Sequence, residues 1–163
     1  MAAVASSHTA TVTLPADRQI LITREFDAPR QLVYKAWTTP DLVKRWWSGR
    51  RGTMTVAEID LRVGGAWRYA MTANGGFEVG FHGEYREIVA GERIVNTEIF
   101  EGPPETEPAV NVVTFAEAGG RTQLTLLVQC TDKAMRDAII DSGMEGGLQE
   151  GLDLLEEVAA GLR

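Results

Sequence analysis

The chain is poor in the residues that build metal and redox sites, with one cysteine, Cys130, and two histidines, His8 and His82, among 163 residues. A single thiol excludes a disulfide framework within the chain and fits a reducing, cytoplasmic compartment. Two histidines without a cysteine cluster do not assemble a zinc site, so neither a metal nor another cofactor is expected. Lys and Arg never form a run, and the formal net charge is −7. That balance argues against nucleic acid or an anionic membrane surface as the partner. No apolar run approaches the length of a membrane span. The opening MAAVASSHTATVTLPAD has neither the basic start nor the continuous apolar stretch of a secretory signal.

What is present is an ordinary globular composition, 44% hydrophobic and 24% charged. A chain of this length suits one domain burying roughly 70% of its unfolded surface. Residues 1–17 read as a flexible tail whose end, TVTL, is placed to extend the first strand, and 18–163 as a single domain. ILITREF, Ile20 to Phe26, is rich in β-formers. The following DAPRQLVYKAWTTPDLVKRWW carries two short helices. Asp27 is placed to cap the first, with Pro29 in its first turn and Leu32, Val33, Ala36 and Trp37 at helical spacing. Thr39-Pro40 opens the second.

From Thr53 to Cys130 short alternating runs are separated by turn signals: GG at 64–65, NGG at 74–76, AGE at 90–92, GPPETEP at 102–108 and AGG at 118–120. Six strands in an antiparallel meander follow from that texture. Helical spacing returns with a short helix over 132–141 and a longer one from Met144 to Leu162. Gly143 and the 146–147 pair predict a kink or a loose first turn between them. Leu148, Leu152, Leu155, Ala159 and Leu162 form one stripe, with Gln149, Glu150, Asp153, Glu156 and Glu157 opposite. The order is β-αα-β6-α, an α+β arrangement whose long last helix lies against the sheet.

Five stretches together resemble one family: REFDAPRQLVYKAWTTPDLVKRWW, DLRVGGAWRY, GEYREIVAGERIVNTE, VVTFAEAGGRTQLTL and GMEGGLQEGLDLLEEVA. They are similar, in order from about residue 19 to 162, to the successive blocks of the activator of heat-shock-protein-90 ATPase homologue family. That family is a branch of the START-like (SRPBCC) superfamily. The resemblance implies a helix-grip fold, in which a curved antiparallel sheet wraps a long C-terminal helix and encloses a cavity. It also implies that many relatives carry Trp where this chain has Leu148, a change that alters the cavity or its mouth.

DLRVGGAWRY, Asp60 to Tyr69, has a strand on either side of its glycines. A phosphate loop would need a helix start there, so Gly64 and Gly65 are expected to supply positive φ in a hairpin turn. Period two then puts Trp67, Tyr69 and Met71 on one face of the outgoing strand, toward the helix, and Phe77, Val79, Phe81 and Tyr85 together on the next. These rings serve equally as core or as the lining of a ligand cavity. Asn96 and Glu98 share parity with Ile94 and Phe100, and Asn111 with Val113 and Phe115. Inward, they would orient a ligand; a slip of one residue turns them all outward. Most other carboxylates read as a solvated outer face: Glu58 and Asp60 on one strand, Glu84 and Glu87 on opposite faces of another. His82 reads as a surface neighbour of Glu84, and Cys130 as a buried structural thiol.

The expected function is binding of a small apolar or amphipathic molecule between sheet and helix. Trp67, Tyr69, Phe81, Tyr85, Phe115 and Leu152 would supply burial, Asn96 orientation, and Trp46, Trp47 and Leu148 the entrance. One alternative is a cavity enzyme of cyclase, dehydratase or hydrolase type, whose inward acid or base would be His82, Glu87 or Glu98; no catalytic residue is assigned. The other, which the resemblance implies, is a chaperone-interacting module. The eukaryotic activator uses a further N-terminal domain for that task, and this chain is too short to hold one. Monomer and homodimer both fit.

Overall fold

The computed structural model describes residues 9–102 and 107–163. His8 and residues 103–106 of the GPPETEP turn lie outside the described residues. The described part contains one antiparallel sheet and four helices. Strand β1 spans Thr11–Thr13 and β2 Gln19–Phe26, followed by helices α1, Arg30–Thr38, and α2, Pro40–Val43. The meander then runs through β3 (Gly52–Ile59), β4 (Ala66–Ala73), β5 (Glu78–Val89), β6 (Arg93–Glu101), β7 (Ala109–Ala118) and β8 (Arg121–Gln129). Helices α3, Lys133–Asp141, and α4, Met144–Ala160, close the chain. No helix among the described residues is long and apolar enough to cross a membrane.

The spatial order is β1-β2-β8-β7-β6-β5-β4-β3, so the N-terminal strands join the last strand of the meander. The sheet has eight strands where seven were expected. TVTL does not prolong the first strand; Thr11–Thr13 folds back and pairs with Thr23–Leu21. The β7–β8 turn shows why its glycines are needed. Gly119 and Gly120 both take positive φ, 62° and 79°, which lets a two-residue turn join Ala118 directly to Arg121.

Period two explains the core. On β2, Ile20, Ile22 and Phe26 are fully buried, as are Leu124 of β8 and Leu152 and Leu155 of α4. These residues put α4 across the concave face and produce the helix-grip fold. The stripe on α4 is Leu152, Leu155, Val158 and Ala159, with Leu148 half-buried and Leu162 beyond the helix end. Gly151 lets α4 come close to the Trp46–Trp47 turn: a Cβ there would lie 3.1 Å from the Trp46 carbonyl oxygen.

Arg24 shares the buried face of β2 and is only 2% exposed. Its guanidinium donates to Asp153 at 2.7 Å and to Glu156 at 3.1 Å, both on α4, and lies over the Phe26 ring. Glu156 also accepts the Asp27 backbone N–H at 2.7 Å. The polar side of α4 is therefore tied down: Gln149 exchanges two hydrogen bonds with the Ala10 backbone, and Glu150 accepts from the Arg50 N–H.

Four local expectations change. Asp27 does not cap α1; the helix starts after Pro29, and the Arg30 N–H is served from β7 by Glu117 at 2.6 Å. Gly143, at φ 82°, is the break between α3 and α4, and Gly146 and Gly147 lie inside α4. Phe77 sits in the turn before β5 and is 62% exposed, so it leaves the face of Val79, Phe81 and Tyr85. A bulge between Tyr85 and Glu87 resets the alternation, which puts Glu84 and Glu87 on the same outer side.

Two stability predictions follow from this packing. Leu152→Ala should cost about 2–5 kcal/mol, because the side chain is fully enclosed. Replacing both Asp153 and Glu156 by Ala strands a buried guanidinium, which costs about 3–5 kcal/mol, whereas Arg24→Met removes the charge and should cost less. Urea unfolding of the three variants checks the order; an Arg24→Met variant less stable than the double variant would contradict it.

Candidate functional site

The β3–β4 turn aims the first rings. Gly64 takes φ 85°, while Gly65 has an ordinary φ and is needed because any Cβ would collide with the Asp60 carbonyl. The expectation of positive φ at both positions therefore holds for Gly64 alone. The turn is stitched to β5 by Gly64 N–H to the Tyr85 carbonyl, 2.8 Å, and Tyr85 N–H to that of Gly65, 2.9 Å. Trp67 and Tyr69 follow on the concave face, 5% and 9% exposed.

The β5–β6 ladder opens beside them. Paired residues run from Gly80 to His82 and resume at Tyr85, skipping Gly83 and Glu84. The Thr97 carbonyl instead accepts from the Trp67 indole at 3.0 Å and from the Asn96 amide at 3.2 Å. The Thr97 hydroxyl accepts the Glu84 N–H at 3.0 Å. Gly83 makes this possible, since a Cβ there would meet both the indole nitrogen and the Thr97 carbonyl.

The expected ring set divides into two groups. Trp67 and Tyr69 pack with centroids 4.9 Å apart, and Trp47 lies edge-on to both Tyr69 and Phe81 at 5.4 Å. Phe81 in turn contacts Phe100 at 5.3 Å. Phe115 belongs elsewhere, with Tyr34 and Trp37 of α1, and Trp46 packs on Trp37. Trp46 is 5% exposed and donates its indole N–H to the Ala36 carbonyl at 2.9 Å. It is fixed wall, and the half-buried Trp47, Phe81, Met71 and Leu148 pack against the core as its partly accessible rim.

A polar set lies among these rings. Tyr85 pairs with Asn96 across β5–β6, and Asn96 with Asn111 across β6–β7, all three buried. Asn111 donates to Glu98 at 2.9 Å. Burial raises the Glu98 carboxyl above its ordinary range, and the Asn111 hydrogen bond opposes this. Burial likewise pushes up the Tyr69 phenol, with Tyr85 and Glu98 adding to the shift, and the Tyr85 phenol. Neither phenol has a hydrogen-bond partner among the described residues, and both still touch water-accessible space. Asn96, Glu98 and Asn111 face inward, one of the two orientations that alternation alone leaves open.

The other two acid–base candidates face outward. His82 Nδ1 lies 2.9 Å from Glu101, not beside Glu84, and Glu101 also accepts two bonds from Arg68. Arg68 holds the Glu101 carboxyl below its usual range. This cluster lines an open outer concavity of about 450 Å3. Glu87 pairs with Arg93 on the surface. A second concavity, about 530 Å3, lies beside Cys130, a buried thiol raised by desolvation. Among the described residues no three His, Cys, Asp or Glu side chains are placed to hold a metal ion. Arg24 and the Phe81–Phe100 contact escaped the sequence reading. Strict alternation along β2 was the available signal for Arg24.

The Glu98 titration has a defined sign. Its carboxyl binds a proton more tightly folded than unfolded, so its contribution to stability is full below about 4.5 and lost as pH rises through the higher folded value. Glu98→Gln should therefore gain on the parent protein over that rise and keep a constant advantage above it. Denaturant midpoints of both proteins across pH read this; a difference independent of pH would refute the raised carboxyl.

Solved structures share the architecture. A Rhodobacter sphaeroides protein superposes with TM-score 0.87 at 21% identity, covering 94% of this chain and 99% of its own. A Mycobacterium smegmatis protein gives 0.83 at 22%, covering 91% and 96%. A Chromobacterium violaceum protein gives 0.78 at 28%, covering 88% and 98%. No curated protein matches the chain. The family model described as activator of Hsp90 ATPase homolog 1-like protein matches residues 27–160, and the chain belongs to that family, with the START-like helix-grip fold.

Proposed function

We propose that the protein binds a small apolar or amphipathic molecule between the concave face of the sheet and the first half of α4. The observation that supports this most is the polar set Glu98–Asn111 with the Tyr69 and Tyr85 phenols, placed among aromatic rings without filling its own hydrogen-bonding capacity. The phenol oxygens have no hydrogen-bond partner among the described residues and touch water-accessible space, so a ligand group that replaces that water can hydrogen-bond to them in its place. Apolar contact would come from Tyr69, Phe81 and Trp47, and entry from the half-exposed edge at Trp47 and Leu148. Trp67, Tyr85, Asn96 and Leu152 support the floor, and Trp46 and Phe115 the wall behind α1.

An apolar fluorophore titrated into isotope-labelled protein should move the amide signals of Tyr69, Phe81, Asn111 and residues 147–151 together. Leu148→Trp should weaken that binding by narrowing the edge while leaving the unfolding midpoint nearly unchanged. Shifts confined to Arg68, His82 and Glu101 on the outer face would sink the reading.

A further inference from the structure

Among the described residues the Glu98 carboxylate has an amide partner and no cation. Asn111 is its one hydrogen-bond donor among the described residues, and no Lys or Arg contributes to its titration. Several other acids are matched by cations: Asp153 and Glu156 by Arg24, Glu101 by Arg68, Glu87 by Arg93. Glu98 is also flanked by side-chain-poor neighbours, Ala109 on β7 and the skipped Gly83 on β5. Its face carries Phe100 two residues on, tilted against Phe81, which is in turn edge-on to Trp47.

From this arrangement we infer that the ligand of the concave face is an organic ammonium, a protonated amine on an apolar body, with its charged head on Glu98. The inference rests on the proposed binding role. An ammonium donates to the free carboxylate oxygen and lies among π-faces that attract cations. The apolar body then runs toward Phe81, Trp47 and the edge at Leu148. An anionic ligand would meet a half-buried carboxylate that no cation compensates among the described residues and be rejected. The net charge of −7 acts in the same direction at longer range. The raised Glu98 carboxyl is consistent with this, since the cost of its buried charge is what an incoming cation offsets.

Three probes of one shape test it: phenylbutylammonium, phenylbutanol and phenylbutyrate, titrated in moderate salt to screen the overall charge and followed by tryptophan fluorescence and the Asn111 side-chain amide signal. The ammonium should bind about tenfold or more tighter than the alcohol, the scale of a hydrogen bond to a charged group, with the carboxylate weakest. Glu98→Gln should abolish the ammonium's advantage, bringing its affinity to within a fewfold of the alcohol's. Equal binding of ammonium and alcohol to the parent protein at these residues would overturn the ammonium inference while leaving the binding role standing. Failure of all three to bind would overturn both. If Glu98→Gln is unstable, the ranking on the parent protein alone decides.

Discussion

The molecule depends on how α4 is held against the concave face. Burial of Leu152, Leu155, Val158 and Ala159 supplies the free energy, and Arg24 supplies position. A guanidinium in the apolar face of β2 is costly to desolvate unless both carboxylates reach it, so the pair constrains α4 to one register. Asp27 N–H on Glu156 adds a third tie at the same end. The C-terminal half of α4 is thus clamped by charge, by backbone and by packing.

The first half is held differently. It starts at a left-handed glycine with no side-chain cap, contains Gly146 and Gly147, and is tied to loop and tail backbone, by Gln149 to Ala10 and by Glu150 to the Arg50 N–H, beside the part-exposed Arg51–Glu150 pair. Such a pair contributes little. The half-exposed edge residues Trp47, Phe81 and Leu148 and the polar set around Glu98 belong to this looser side of the structure. A helix clamped by a buried charge cluster at one end, and held at the other through loop and tail backbone, gives a fold that keeps its identity while one side of the interior yields to a ligand.

Much of this was legible from residues. Alternation in β4 predicted which way Trp67 and Tyr69 point, because side-chain parity survives as long as the ladder is regular. In β6 it put Asn96 and Glu98 on one face without deciding between inward and outward, because register is set by neighbouring strands. It failed where the ladder is not regular: at the Tyr85–Glu87 bulge, and at Phe77, which the NGG turn holds outside the strand. Capping of α1 was misread because its partner, Glu117, is distant in sequence. The division of the rings into two groups was likewise invisible, since it depends on α1 inserting Tyr34 and Trp37 beside Phe115. Arg24 was readable in principle. A charge at the third position of a buried run signals a partner on the element that covers it.

The central claim is that α4 is fixed at its C-terminal half and yielding at its N-terminal half. Native-state hydrogen exchange of its backbone amides tests this most directly. The account predicts that amides over 147–151 exchange through local opening, well ahead of those over 155–159, which should exchange only with global unfolding. Uniform protection along α4, or faster exchange at its C-terminal half, would contradict it.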